Sequence, residues 1–406
     1  MDKLSSFYKK YDKRIWVIFF TRIVTVAGYS LVMPFLSLYL HSELGVPMKI
    51  VGTIMMASMG VGAFANILGG ELSDYFGRKQ VMVYAFFLRA VVFIFIAYFV
   101  AIKVHFLVIA FFLILSAILG SLTMPASNAM LADVADPTKR MDAFGFIRIG
   151  ANIGWSIGPA VGGLLATVSY SSLFLLTAVT SVAAGFMILF LVKESGVLKG
   201  EEEKVTVKDF FKIRHDRIFL WFCFFSLLIW VIRGQMTVAL AIFGVDRIGI
   251  TKIQLGYLFT LNGLLVVFLQ YHTTKLTKKI KMTTALMIGS VLYAAGFLSV
   301  GFANTFLFLV LSMAIITIGE MALSPATMTL SANLSPKRQK GRYMGVAGLF
   351  ENLGWSIAPF IGGILLDTFP GKSLSIWAII SLFGLAAAAG YYWIKNKIPA
   401  KIDLNL

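Results

Sequence analysis

Twelve long apolar runs constrain the fold of this chain more than any other feature of its sequence. A helix needs about 20 apolar residues to cross a bilayer core, and every run reaches that length. Lipid offers no partner for backbone groups, and the runs are too long and too uniformly apolar for barrel strands, so we expect helices. The predicted fold class is an all-α membrane protein with 12 transmembrane helices. The runs cover residues 14–40, 49–72, 79–102, 105–132, 143–167, 171–193, 218–243, 252–271, 282–302, 305–330, 343–366 and 373–394.

The composition excludes several other classes of protein. Charged residues make up 14 % of the chain, against about 25 % in a soluble domain. The single cysteine, Cys223, excludes a disulfide framework, and no Walker loop, zinc-ligand spacing or nucleophile elbow occurs. We therefore expect no enzymatic activity, no metal and no cofactor. The net charge of +17 does not indicate nucleic-acid binding, because the basic residues lie between the apolar runs.

The positions of lysine and arginine predict the orientation of the chain. With the N-terminus inside, 27 of the 36 Lys and Arg residues fall in inside segments and 5 fall in outside loops. Membrane proteins keep their basic residues on the cytoplasmic side. We expect a multi-pass protein of the cell membrane with both termini in the cytoplasm. The first run is long and follows a basic stretch, so no cleavable signal peptide is predicted.

An internal repeat divides the chain into two halves. At a shift of 200 residues, Pro125-Ala126 aligns with Pro325-Ala326, and Gly154-Trp155-Ser156-Ile157 aligns with Gly354-Trp355-Ser356-Ile357. This predicts two pseudosymmetric six-helix bundles, at 1–193 and 218–406. A parallel duplication of this kind places a site between its halves near the membrane midplane. The connecting segment 194–217 is predicted to be a solvated cytoplasmic linker, with a regulatory binding segment as the alternative.

The loop between the second and third runs combines glycines with charges at fixed spacing. Glycines permit a tight turn, and Asp74 with Arg78 can form a charge-assisted clamp at the inner rim. The string resembles the signature of the major facilitator superfamily, which implies the fold of that superfamily. The resemblance also implies that Asp133, at the inner end of the fourth run, joins the Asp74–Arg78 cluster. The alternative is a simple positive-inside anchor. The motif residues are Gly70, Asp74, Gly77, Arg78 and Lys79.

The fifth run carries small residues at four-residue spacing, which let helix backbones touch. Gly154, Gly158 and Pro159 belong to this pattern, and Pro359 repeats the proline in the eleventh run. The stretch resembles one found in the drug/proton antiporters of the superfamily, and we predict a role in alternating access. The alternative is an ordinary packing seam. Those antiporters also carry an arginine four residues before a glycine in the fourth helix, whereas Ser116 precedes Gly120 here.

Ionisable residues inside membrane helices are costly and are functional by default. Glu320 lies near the middle of the tenth run, where desolvation favours its neutral form, so it is the predicted proton carrier. A structural hydrogen bond or an ion pair to arginine is the alternative. Glu351, in the eleventh run, is predicted either to pair with Arg148 of the fifth run or to titrate itself.

Three further arginines lie within the runs. Arg233 is in the middle of the seventh run, too deep to reach the surface, so it needs a partner. Arg22 is close enough to the inside to extend its charge to the inner surface. Either could hold an anionic substrate. Arg89, in the third run, is predicted to pack or to extend towards the surface.

Residues with polar, aromatic or thioether side chains in the expected cavity helices are candidates for contact with a substrate. Methionine and aromatic side chains form an adaptable apolar surface. The alternative for each is packing or contact with lipid. The candidates, beside Arg22 and Arg233, are Tyr29, Met33, Met124, Asn128, Trp230, Gln235 and Asn262.

The sequence therefore favours a secondary active transporter that works by alternating access and exports small amphipathic or drug-like compounds in exchange for protons. Two alternatives remain open: a proton-coupled carrier of an anionic, sugar or lipid-like solute, and a non-transporting membrane sensor. The expected partners are a small-molecule substrate, protons and membrane lipid, with no nucleic acid. We expect a monomer.

Overall fold

The computed structural model describes residues 12–136, 140–195, 216–336 and 339–404. Within these residues, 12 helices are long and apolar enough to cross a membrane, which confirms the predicted fold class. They are α1 Lys13–Leu38, α2 Met48–Phe76, α3 Arg78–Ala101, α4 Phe106–Val134, α5 Arg140–Val168, α6 Tyr170–Leu191, α7 Arg217–Gly234, α8 Lys252–Thr277, α9 Met282–Val300, α10 Phe306–Leu334, α11 Lys340–Thr368 and α12 Ser373–Lys395. A short helix, α13 Ala400–Asp403, follows.

Several helices extend beyond the apolar run that predicted them. Helix α2 continues to Phe76, α4 to Val134 and α8 to Thr277, each past the end of its run. Hydropathy marks the part of a helix that lies in lipid, whereas backbone hydrogen bonding continues into the polar layer. The inner-rim motif therefore stands on the last turn of α2 and the first turn of α3.

Side-chain caps fix the beginning of many helices. The side chain of Asp12 accepts a hydrogen bond from the backbone amide of Arg14 at 2.7 Å, at the start of α1. The hydrogen bonds from Arg14 hold the pKa of Asp12 below its ordinary value. Ser169 and Thr305 cap α6 and α10 in the same way.

The chain after α1 and after α7 is wound as π-helix at related positions of the repeat. The π-helical turns cover Tyr39–Glu43 after α1, and Met236–Leu240 and Phe243–Ile248 after α7. A π-helical turn has i→i+5 hydrogen bonds and is often found at functional sites. In the second half of the chain it begins shortly after Arg233.

The contacts divide the structure into two compact units, which exchange parts of two helices. The first unit holds α1, α2 from Ala57 onward and α3–α6, and it includes Thr251–Gly263 at the start of α8. The second holds α7, α8 from Leu264 onward and α9–α12, and it includes Pro47–Met56 at the start of α2. The predicted boundaries of the two halves stay a prediction. Most of the predicted linker, 194–217, lies outside the described residues.

Glycines explain why each unit takes in a segment of a distant helix. In the first unit, a Cβ at Gly256 would overlap the carbonyl of Pro159, so the start of α8 lies directly on α5. Thr260 Oγ1 also donates to the carbonyl of Ser156 at 2.9 Å. In the second unit, Gly52 of α2 meets the carbonyl of Pro359 on α11 in the same way. Pro159 and Pro359, which align in the repeat, therefore each accept a glycine of a distant helix against their carbonyl group.

The same face of α5 also packs closely against α1. A Cβ at Gly154 would lie 2.9 Å from the backbone nitrogen of Ala27, and one at Gly158 would lie 2.9 Å from that of Leu31. Ser30, on the facing side of α1, donates to the carbonyl of Gly154 at 3.3 Å. The helix backbones touch, as the small-residue spacing predicted.

Candidate functional site

An ion pair lies inside the second unit, between Arg233 of α7 and Glu320 of α10. The side chains are 29 % and 12 % exposed, so both charges are largely removed from solvent. The guanidinium carbon of Arg233 stands 4.7 Å from the centre of the Trp230 ring, in cation–π contact. Arg233 was expected to need a partner inside the membrane, and that partner is Glu320. For Glu320, the predicted alternative of an ion pair with an arginine is therefore formed.

Close packing of α9 against α10 positions this glutamate. Gly319 precedes it, and a Cβ there would lie 2.8 Å from the Tyr293 ring and 2.9 Å from the carbonyl of Gly289. Tyr293 is 1 % exposed and interacts electrostatically with both Glu320 and Arg233. The absence of a side chain at 319 therefore allows α9 to seal one side of the ion pair.

A second acid belongs to the same charge cluster. Glu351 of α11 is partly buried and interacts electrostatically with Arg233. It also interacts electrostatically with Cys223 and Tyr391, which are both fully buried. The pairing predicted between Glu351 and Arg148 stays a prediction, and Arg148 is an exposed residue of α5.

Part of the predicted inner-rim cluster is formed. Arg78 pairs with Asp133 and donates to the carbonyl of Ala129 at 3.0 Å. Asp74 is exposed on the last turn of α2 and has no ion pair among the described residues, so the predicted Asp74–Arg78 clamp is wrong. Between the two residues, Gly77 turns the chain with a φ of 99°, a conformation that favours glycine, before Arg78 begins α3.

A residue that sequence analysis missed completes this rim. The carboxylate of Glu194 accepts hydrogen bonds from the backbone amides of Arg78 at 3.1 Å and Lys79 at 3.1 Å. It thereby caps the start of α3, and a Cβ at Gly77 would lie 2.8 Å from that carboxylate. Asp403 plays the same part in the second unit, where it is fully buried and accepts from the amide and hydroxyl of Thr283 at the start of α9.

The predicted cavity residues differ in their surroundings. Tyr29 packs near Trp155, with 6.2 Å between ring centres, and Met33 is buried, whereas Met124 and Asn128 are exposed on α4. Arg22 is partly exposed and has no ion pair with a described carboxylate.

Two predicted cavity residues have almost no exposed surface. Gln235 is 0 % exposed, and its amide donates to the carbonyl of Ala358 at 2.9 Å. This corrects the expectation that Gln235 faces a cavity, because its amide joins the residue that follows α7 to α11. Asn262 of α8 is 4 % exposed.

Arg89 packs inside the first unit, which is one of the two outcomes predicted for it. Its guanidinium carbon stands 5.1 Å from the centre of the Phe93 ring, and a Cβ at Gly120 of α4 would lie 2.9 Å from it. The side chain interacts electrostatically with Tyr29 of α1. The guanidinium therefore lies between helices of the first unit rather than at the membrane surface.

Charges held inside a bundle of membrane-crossing helices are typical of proteins that move solutes or ions across a membrane. A family model described as Major Facilitator Superfamily matches residues 18–303 and 283–404 of this chain. The protein is an integral multi-pass membrane protein of the transporter class. It belongs to the major facilitator superfamily.

Relatives resemble the chain over almost its whole length. The uncharacterized MFS-type transporter YttB of Bacillus subtilis is 27 % identical over 93 % of this chain and 94 % of its own. The Na(+), Li(+), K(+)/H(+) antiporter of Planococcus maritimus is 26 % identical over 93 % and 95 %. The multidrug resistance protein MdtH of Photorhabdus laumondii is 26 % identical over 91 % of each chain.

A solved structure confirms the fold. The crystal structure of a peptide transporter POT in complex with sulfate superimposes with a TM-score of 0.77 and covers 96 % of this chain and 95 % of its own. The two sequences are 17 % identical, so the likeness concerns the fold alone.

Proposed function

We propose that this protein is a secondary active transporter that exports small amphipathic or drug-like compounds in exchange for protons, with Glu320 as the proton carrier. The observation that carries the proposal is the Arg233–Glu320 ion pair inside the second unit. A charge inside a membrane helix costs free energy, so a charged residue there indicates a functional role. A carboxylate that an arginine can hold or release is suited to bind and discharge a proton.

The proposed cycle follows from the contacts of this pair. A proton from outside neutralises Glu320, which breaks its attraction to Arg233. The freed guanidinium keeps its contact with Trp230 and turns towards Glu351, the second acid within electrostatic range. The change alters which charges are balanced in the second unit, and we propose that this couples proton binding to release of the substrate outside. Proton release inside restores the pair.

Two relatives support the exchange of protons for a solute and the export of drugs. The Planococcus maritimus relative is named as an antiporter of protons with sodium, lithium and potassium ions. The Photorhabdus laumondii relative is named as a multidrug resistance protein. We favour organic compounds over metal cations for this chain, because its membrane helices hold more arginine than acid.

Purified protein in liposomes tests the proposal. Cationic, neutral and anionic amphipathic dyes are offered outside the vesicles, and a pH difference is the only gradient imposed. In inside-out orientation with an acidic lumen, the native protein is expected to concentrate at least one dye. Glu320→Gln is expected to lose that accumulation and to keep dye exchange at equal concentrations.

The matched control is Glu71→Gln, which changes an exposed carboxylate of α2 in the same way. This variant is expected to accumulate dye as the native protein does. If Glu320→Gln still concentrates dye when only pH differs, Glu320 is not the proton carrier. If the native protein moves none of the dyes, the proposed drug export is wrong.

A further inference from the structure

A cation that has no carboxylate partner among the described residues lies inside the first unit. Arg89 forms no ion pair among the described residues, and its Nε is buried without a hydrogen-bond partner in that part of the chain. Burying a charge without a partner costs far more than burying an apolar group. In the second unit the corresponding cost is avoided, because Arg233 has Glu320.

The position of Arg89 excludes the simple alternative of reaching for the membrane surface. It stands near the middle of α3, which covers Arg78–Ala101, so each end of the helix is about 17 Å away along the axis. An extended arginine side chain is less than half that length. The structure instead folds the guanidinium over Gly120, where a Cβ would lie 3.1 Å from both Nε and Nη1.

The surroundings of the guanidinium are aromatic. Phe93 lies beside it, and Tyr29 of α1 is within electrostatic range. Tyr29 in turn packs near Trp155 of α5. An anion that bound here would meet a guanidinium whose two Nη groups can donate parallel hydrogen bonds to a carboxylate, and the partly exposed rings of Tyr29 and Trp155 are available to an apolar group.

We infer that Arg89 binds the carboxylate of an amphipathic, aromatic substrate, and that Gly120 is the notch that makes room for its guanidinium. The inference rests on the proposed transport function and narrows its substrate class to anions of this kind. The acid–base pair of the second unit would then serve the proton, while Arg89 in the first unit serves the substrate.

Two probes that differ only in charge test the inference. The protein is placed in nanodiscs of phosphatidylcholine, and binding of 2-naphthoate and of its neutral amide, 2-naphthamide, is measured by calorimetry. The native protein is expected to bind the carboxylate about ten- to a hundredfold more tightly, as a charge-assisted hydrogen bond allows. Arg89→Gln is expected to lose this preference and to bind the amide as before.

A second variant moves the guanidinium without removing its charge. Gly120→Ala places a Cβ against Arg89 and is expected to weaken naphthoate binding several-fold, with naphthamide binding unchanged. Gly60→Ala is the matched control, because a Cβ at Gly60 has nothing within 4 Å, and its affinities are expected to equal those of the native protein. If a variant binds 2-naphthamide with the affinity of the native protein, that variant is folded.

Three results would overturn the inference. The first is equal affinity of the native protein for the two probes, or no binding of either. The second is an undiminished preference for naphthoate in Arg89→Gln. The third is competition by anionic lipid: if phosphatidylglycerol in the nanodiscs displaces naphthoate, Arg89 binds a lipid headgroup rather than a substrate.

The outcome separates this inference from the proposed proton coupling. If naphthoate is preferred through Arg89 and Glu320→Gln still accumulates dye, the anion site stands and the proton carrier is wrong. If Glu320→Gln fails to accumulate dye and the naphthoate preference is missing, proton coupling stands and the anion site falls.

Discussion

At the scale of single residues, each half of the Arg233–Glu320 pair makes the other tolerable inside the membrane. Removing one partner leaves a buried charge, whereas removing both leaves an apolar gap. The pair therefore has two roles, one in stability and one in the proposed proton transfer, and measurements on folded protein can separate them.

The stability role gives the first prediction. Arg233→Met is expected to lower the free energy of unfolding by about 1–3 kcal/mol, because the pair is partly exposed and Glu320 loses its partner. The double variant with Glu320→Met is expected to regain at least half of that loss. Thermal unfolding in one detergent measures both. Additive losses in the double variant would contradict the interdependence of the two charges.

The sequence indicated which residues carry charge in the membrane but not which of them meet. Glu320 and Arg233 stood out because ionisable residues are rare in apolar runs. Their pairing depends on how α7 and α10 are rotated, and helices that are apolar on every side carry no periodicity that reveals this. Glu194 was missed for a related reason: a single glutamate after an apolar run forms no pattern, and its contact with Arg78 spans 116 residues.

At the scale of helices, close contact through glycine is the recurring device. The face of α5 that holds Gly154 and Gly158 lies directly on the backbone of α1. No larger residue fits there unless the helices separate, and separation would expose buried polar groups such as the hydroxyl of Ser30.

Gly158→Ala tests this contact. The new Cβ would overlap Ser30 and the backbone of α1, so the free energy of unfolding is expected to fall by about 1–3 kcal/mol. Gly145→Ala on the same helix is the control, since a Cβ there has nothing within 4 Å and alanine favours helix. Equal stability of the two variants, measured by thermal unfolding, would mean that the helices do not touch as described.

Hydropathy predicted the number and order of the helices well and their ends less well. The polar ends of α2, α4 and α8 were missed because they no longer lie in lipid. The π-helical turns after α1 and α7 were missed as well, since hydropathy does not distinguish i→i+5 from i→i+4 hydrogen bonding.

At the scale of the molecule, the repeat predicted two bundles in chain order, whereas the contacts group the start of α2 with the second unit and the start of α8 with the first. The glycines at 52 and 256 allow the close approach of these segments, because each meets a proline carbonyl of the facing helix. The alignment contained these prolines, but their partners lie outside the aligned stretch.

The orientation of the chain remains a prediction at this scale, and labelling tests it. Lys103→Cys is expected to react with a membrane-impermeant maleimide on intact cells, and Lys279→Cys only after permeabilisation. Both positions are exposed, and Cys223 is buried, so the native protein gives a low background. Reaction of Lys279→Cys on intact cells would reverse the predicted topology.

Counting protons as substrate moves tests directly whether Glu320 carries the proton. A pH-sensitive dye is trapped in liposomes, no pH difference is imposed, and a gradient of a transported compound is applied. The native protein is expected to drive protons against the direction of the compound, while Glu320→Gln exchanges the compound without any proton signal. An unchanged proton movement per molecule in Glu320→Gln would mean that another group carries the proton.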